Sequence, residues 1–106
     1  MSIRLLADQP DRLRLEGELD FASAVTLRPE LERQVSAAGP SVLLDMSGVT
    51  RVNSVGLSLI LVAARIVEAQ GGSLSVSGVP EGLQSMAVVC GLDQWLDSIA
   101  VSTSAG

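Results

Sequence analysis

The chain has no histidine, no lysine and no tyrosine, and Phe21 and Trp95 are its whole aromatic content. Each absence removes a class of chemistry. Without histidine, the commonest metal ligand and the usual base for activating a serine or cysteine are both missing. All seven basic residues are arginine, which excludes Schiff-base lysine chemistry and the phosphate-gripping lysine of a P-loop. No metal and no cofactor are therefore expected. A net charge of −5, with no basic run interleaved with aromatics, argues against nucleic acid and anionic membrane surfaces as partners. The single cysteine, Cys90, excludes a disulfide within this chain and fits a reducing compartment. It sits in the apolar helix end "MAVVCGL" with no adjacent cation to lower its pKa, and is expected to be a small core residue.

Long hydrophobic runs are also lacking. The start "MSIRLLADQP" has no continuous apolar core of signal-peptide length. The greasiest stretch, Val55 to Ala64, carries Ser58 and ends at Arg65, about half of the ~20 residues needed to cross a bilayer. A cytoplasmic protein without direct membrane insertion is expected.

With 106 residues, 47% hydrophobic and 18% charged, the composition predicts one globular domain over 1–106, its core built from Leu, Val, Ile and Ala. Ile3 to Leu6 reads as a short strand, and "QPD" as a turn. In "DRLRLEGEL", Leu13, Leu15, Gly17 and Leu19 alternate with charged residues, the period of a strand with one wet face. "DFASAVTLRPELERQVSAAGP" reads as a helix capped by Asp20 or Ser23, with Val25, Leu27, Leu31 and Val35 inward and Pro29 bending or breaking it. Ser41 to Met46 reads as a buried strand, "SGVTRVN" as a loop, Ser54 to Gln70 as a helix, and "SLSVSG" as a strand. "PEGLQSMAVVCGL" reads as a third helix, and the tail 101–106 is expected to fray. The order β-β-α-β-α-β-α predicts an α/β fold with a small mixed sheet of about four strands packed against helices.

Little in the chain looks catalytic. Asp20 and Asp45 lie near strand ends, but helix capping and strand closure account for them better than a carboxylate pair. "SGVTRVNSVG" lacks the dinucleotide fingerprint. Trp95 either anchors a partner or packs the C-terminal segment onto the domain. The chain is not expected to be an enzyme.

The helix from Ser54 is unusually apolar. On a wheel of 100° per residue, Ser54, Ser58, Arg65 and Glu68 share one narrow sector, with Leu61 inside it and Leu57 at its border. The apolar arc is about twice the usual stripe. Either Leu57 and Leu61 belong to a surface covered by another protein, or they are scattered exposed apolars. Asn53 is a good N-cap, which places Ser54 at the positive end of the helix. A phosphate on Ser54 would be tolerated there and would oppose apolar docking; alternatively, Ser54 shares the capping with Asn53.

"LRLEGELDFASAVTLRPEL", "VLLDMSGVTRVNSVGLSLIL" and "GGSLSVSGVPEGLQSMAVVCGL" together resemble the STAS domain family, which includes anti-sigma-factor antagonists, over Leu13 to about Leu92. In such antagonists a kinase phosphorylates the second serine of the tetrad D-S-S-G. Here the tetrad is Asn53-Ser54-Val55-Gly56, with valine at the switch position. It looks more like the branch whose tetrad reads D-T-A-G or similar, which includes the MlaB-type subunit of the phospholipid-transport (Mla) ABC transporter of the Gram-negative cell envelope. That resemblance implies a non-catalytic subunit, peripheral to the inner membrane through its partner, that binds the transporter's ATPase subunit and supports its assembly and activity. The implied contact comprises Asp20, Phe21, Asn53, Ser54, Leu57, Ser58, Leu61 and Arg65. The alternative it implies is an antagonist binding an anti-sigma factor, with Ser54 as a displaced phosphoacceptor or with no switch.

Overall fold

Alternation in the second segment produces β2 (Arg12–Leu19), with Leu13, Leu15 and Leu19 buried and the charged residues between them on the opposite side. In the computed structural model, which describes residues 3–9 and 11–101 apart from the side chain of residue 8, β1 (Ile3–Gln9) pairs with β2 in antiparallel fashion. β1 is longer than the expected Ile3–Leu6, because pairing with β2 continues to Gln9. The chain then runs through α1 (Phe21–Ala37), β3 (Ser41–Val52), α2 (Val55–Ala69), β4 (Ser73–Ser77), α3 (Glu81–Val89), α4 (Asp93–Ile99) and β5 (Ala100–Val101). The sheet order is β1-β2-β3-β4-β5, and every pairing after the first is parallel.

Each parallel connection steps the same way across the sheet. Right-handed crossovers then place all four helices on one face. Leu44, Met46 and Val76 from the sheet meet Leu31, Val35, Ile60 and Val67 from α1 and α2 in a single core. The other face carries Arg12, Arg14, Asp45, Ser75 and Ser77, and no helix among the described residues.

The α/β class and mixed sheet agree with the sequence reading; the strand count is five, not four. β3 also extends into the expected loop "SGVTRVN" as far as Val52, with register shifts against β2 on either side of the Glu16–Gly17 pair. Gly48 permits this close pairing, since a Cβ there would lie 2.8 Å from the Glu16 Cγ and 2.9 Å from the Leu15 carbonyl oxygen. α1 runs unbroken through Pro29, which is exposed while Leu27, Leu31 and Val35 hold the helix to the core. Val25 points outward instead of joining that inner stripe. Cys90 is exposed at the end of α3, not in the core, because Leu83 and Ala87 form the inner side of this short helix. Trp95 is half-buried on the core, consistent with the packing reading. Val101 lies in β5, so the expected tail begins inside the sheet, and its residues 102–106 fall outside the described residues. Among the described residues, no helix is long and apolar enough to cross a membrane.

Candidate partner-binding surface

Two helix starts meet at the C-terminal ends of β2 and β3. At the first, Asp20 accepts the Ser23 N–H at 2.8 Å and the Ser23 hydroxyl accepts the Asp20 N–H at 2.9 Å, a reciprocal cap. The Ser23 N–H, then the Ser23 hydroxyl, hold the Asp20 carboxyl below its ordinary 3.8. At the second, Asn53 Oδ1 accepts the Val55 N–H at 3.0 Å, and its carbonyl accepts the Gly56 N–H at 3.0 Å. Ser54 already has helical torsions and gives no side-chain cap to the helix. Asn53 therefore caps alone, and the exposed Ser54 hydroxyl is not held by capping.

Gly56 explains why a small residue opens α2. A Cβ there would lie 2.5 Å from Val52 Cγ2 and 3.1 Å from Leu19 Cδ2, so only glycine lets the helix start approach both strand ends. That approach brings Asp20 and Asn53 to the walls of one small cavity of about 230 Å³, shared with Glu18 and Arg51, whose side chains lie 3.9 Å apart.

Beyond this end, α1 and α2 leave an apolar groove of about 320 Å³, lined in part by Phe21, Val25, Arg28, Val55, Ser58 and Val62. Phe21 is 71% exposed and Val25 62% exposed, the largest apolar contribution to its rim. On the other side of the helix start, Ser54 borders a second apolar depression of about 280 Å³ with Ser85, Met86, Val89 and Cys90.

The structure thus gathers Asp20, Phe21, Asn53, Ser54 and Ser58 at one end of the helical layer. Leu57 is a correction: it is only 3% exposed and belongs to the core, so it offers no anchor. The wide apolar arc of α2 is mostly internal, because α1, α3 and the sheet cover it from three directions. Leu61 is half-buried on the flank away from the groove, and Arg65 is exposed about two turns beyond Ser58. Two apolar residues that line the groove were missed, the exposed Val25 and the half-buried Val62. Phe21 and Val25 at i and i+4, with Arg28 at i+7, mark one face of α1, a signal hidden by assigning Val25 to the inner stripe.

A family model described as "Mlab, STAS domain" matches residues 5–100. The anti-sigma-B factor antagonist of Bacillus subtilis (strain 168) is 29% identical over 91 residues, covering 86% of this chain and 83% of that protein. Among solved structures, the unphosphorylated anti-sigma factor antagonist SpoIIAA superposes with a TM-score of 0.72 at 17% identity, covering 97% of this chain and 89% of its own. An anti-sigma factor antagonist from Mycobacterium paratuberculosis gives a TM-score of 0.71 at 23% identity, with 88% and 81% covered. Both likenesses are of fold.

Proposed function

Since this chain belongs to the STAS domain family, we propose that it is a protein-interaction subunit that docks through the α1–α2 groove onto the cytosolic ATPase subunit of a phospholipid-transport ABC transporter. The observation that carries this reading is the pairing of an exposed apolar groove with a valine at the tetrad's switch position. Val55 lines the groove and has no hydroxyl, so this surface has no phosphate to gain at that position. A surface that cannot be charged there suits a constitutive subunit better than a switched one. The description of the matching family model supports the same branch.

In this account Phe21 and Val25 are the apolar anchors, and Val62 completes the groove floor. Asn53 and Ser54 offer a polar rim, with the free Ser54 hydroxyl available to the partner. The protein works in the cytoplasm, held at the inner membrane by its partner. Co-expression with the ATPase and permease subunits of a phospholipid-transport ABC transporter tests this: the chain co-elutes with the ATPase on size exclusion, and failure to co-elute counts against the reading.

One observation favours a second reading. The Bacillus relative, similar over 86% of this chain, is an anti-sigma-B factor antagonist. On that reading the same groove binds an anti-sigma factor, with Ser54 as a displaced phosphoacceptor or with no switch. Co-elution with an anti-sigma factor, together with phosphate mapped to Ser54 after kinase treatment, selects this alternative.

A further inference from the structure

Phe21, Val25 and Arg28 recur at i, i+4 and i+7 along α1, and Ser58, Val62 and Arg65 recur the same way along α2. The first five of these line the α1–α2 groove, and Arg65 extends the α2 stripe by one further turn. Both stripes thus end in an arginine. We propose that the groove takes an amphipathic helix of the ATPase subunit, with apolar residues seated against Phe21, Val25 and Val62 and a carboxylate one turn further along that meets Arg28 and Arg65. This rests on the groove being the docking surface, and it assigns the chemistry of the segment that fills it.

Charge carries the assignment. The chain has a net charge of −5, and six of its seven arginines stand against one of its own carboxylates. Arg65 is exposed and has no such partner among the described residues. Arg28 gives its Nε–H to Glu32 at 3.0 Å, in a pair exposed on both sides. Such a surface pair is weak and exchangeable, and it leaves both terminal amino groups of Arg28 for a second carboxylate. Beyond the other end of the groove lies the small cavity where Glu18 and Asp20 outnumber Arg51. An acidic residue there would meet like charge, which fixes the end at which the partner's carboxylate lies.

The groove walls decide the conformation of what they hold. Both are α-helices, whose amides and carbonyls pair within each helix and offer no ladder to an incoming strand. An extended segment would bring unpaired backbone groups against an apolar floor, whereas a helix satisfies its own. From Val55 to Arg65 the distance along α2 is about 15 Å, the length of roughly ten helical residues.

Calorimetric titration of the ATPase subunit with charge variants of the full chain tests this. Arg28→Glu and Arg65→Glu each raise the dissociation constant by about tenfold or more, because each sets like charge against the partner's carboxylate. Arg33→Glu makes the same change of net charge on another side of α1, where Arg33 pairs with Glu30, and stays within about twofold of the parent. Hydrogen exchange on the complex locates the ATPase segment that becomes protected, and reversing its Asp or Glu to Arg restores binding to Arg65→Glu. Parental affinity in Arg65→Glu, with binding still weakened by Val25→Asp, overturns the proposal and leaves the groove as the docking surface. No binding by the parent, or parental affinity in Val25→Asp, overturns the docking reading as well. A protected segment lacking apolar residues and an acid at helical spacing overturns the proposal, as does a dimer of the chain through this groove, seen by light scattering and abolished by Val25→Asp.

Discussion

Asp45 and Gly56 show how single residues set the limits of this fold. Asp45 is only 5% exposed. Burial pushes its carboxyl up, but the Ser47 N–H at 2.9 Å, the Ser47 hydroxyl and the Arg14 and Arg12 guanidinium groups outweigh burial and hold it below its ordinary 3.8. A lowered carboxyl contributes stability that is present above its unfolded value and is lost as pH falls through its folded value. Urea midpoints should therefore fall between about pH 5 and pH 2, and the fall should be shallower in Asp45→Asn. Gly56→Ala forces a methyl group against Val52 and Leu19. It should lower unfolding free energy by about 1–3 kcal/mol, read from urea denaturation. The role of Asn53 as cap was legible in the sequence, since a short polar side chain before an apolar run satisfies orphan amides. The inward turn of Leu57 was not, because its wheel position borders the polar sector and only the packing of α3 across α2 decides which side it joins.

At the scale of elements, α1 carries a conflict that its packing overrides. An interior proline removes one helix hydrogen bond and crowds the preceding turn. Pro29 nevertheless sits within a continuous helix, because the reciprocal Asp20–Ser23 cap fixes its start and Leu27, Leu31 and Val35 hold its inner side. Pro29 is exposed and contributes no core packing. Pro29→Ala should thus raise the melting temperature, by the equivalent of about 1 kcal/mol or more, and a lower one would contradict this account of the helix. Sequence periodicity located α1, α2 and α3 because each has an apolar stripe and a glycine or proline stop. β3 was legible only to Met46, since "SGVTRVN" has neither alternation nor apolar character. Its extension depends on β2, whose unpaired edge supplies partners for the backbone through Val52. α4 and β5 left little local signal: one is seven residues long and the other two.

Across the whole molecule, the topology separates two surfaces. Successive right-handed crossovers put every described helix on one face, so the α1–α2 groove and the polar rows of Arg12, Arg14, Asp45, Ser75 and Ser77 lie on opposite sides of the sheet. The α/β class could be read from element order, and the region of the candidate site from the tetrad. The groove itself could not, because it exists only where α1 and α2 sit side by side and leave Phe21 and Val25 partly uncovered. In the proposed docking, this juxtaposition moves the apolar contact from Leu57 to Val25. Val25 is 62% exposed, so a charge there should leave the fold intact while placing an unpaired carboxylate in a docked interface. The most direct measurement is calorimetric titration of the purified ATPase subunit with the parent chain and with Val25→Asp. The account predicts saturable binding by the parent and a dissociation constant raised by about 30-fold or more in the variant, equivalent to the loss of a hot-spot contact of about 2 kcal/mol. Equal dissociation constants for the two, with both proteins folded, would contradict the groove as the docking surface.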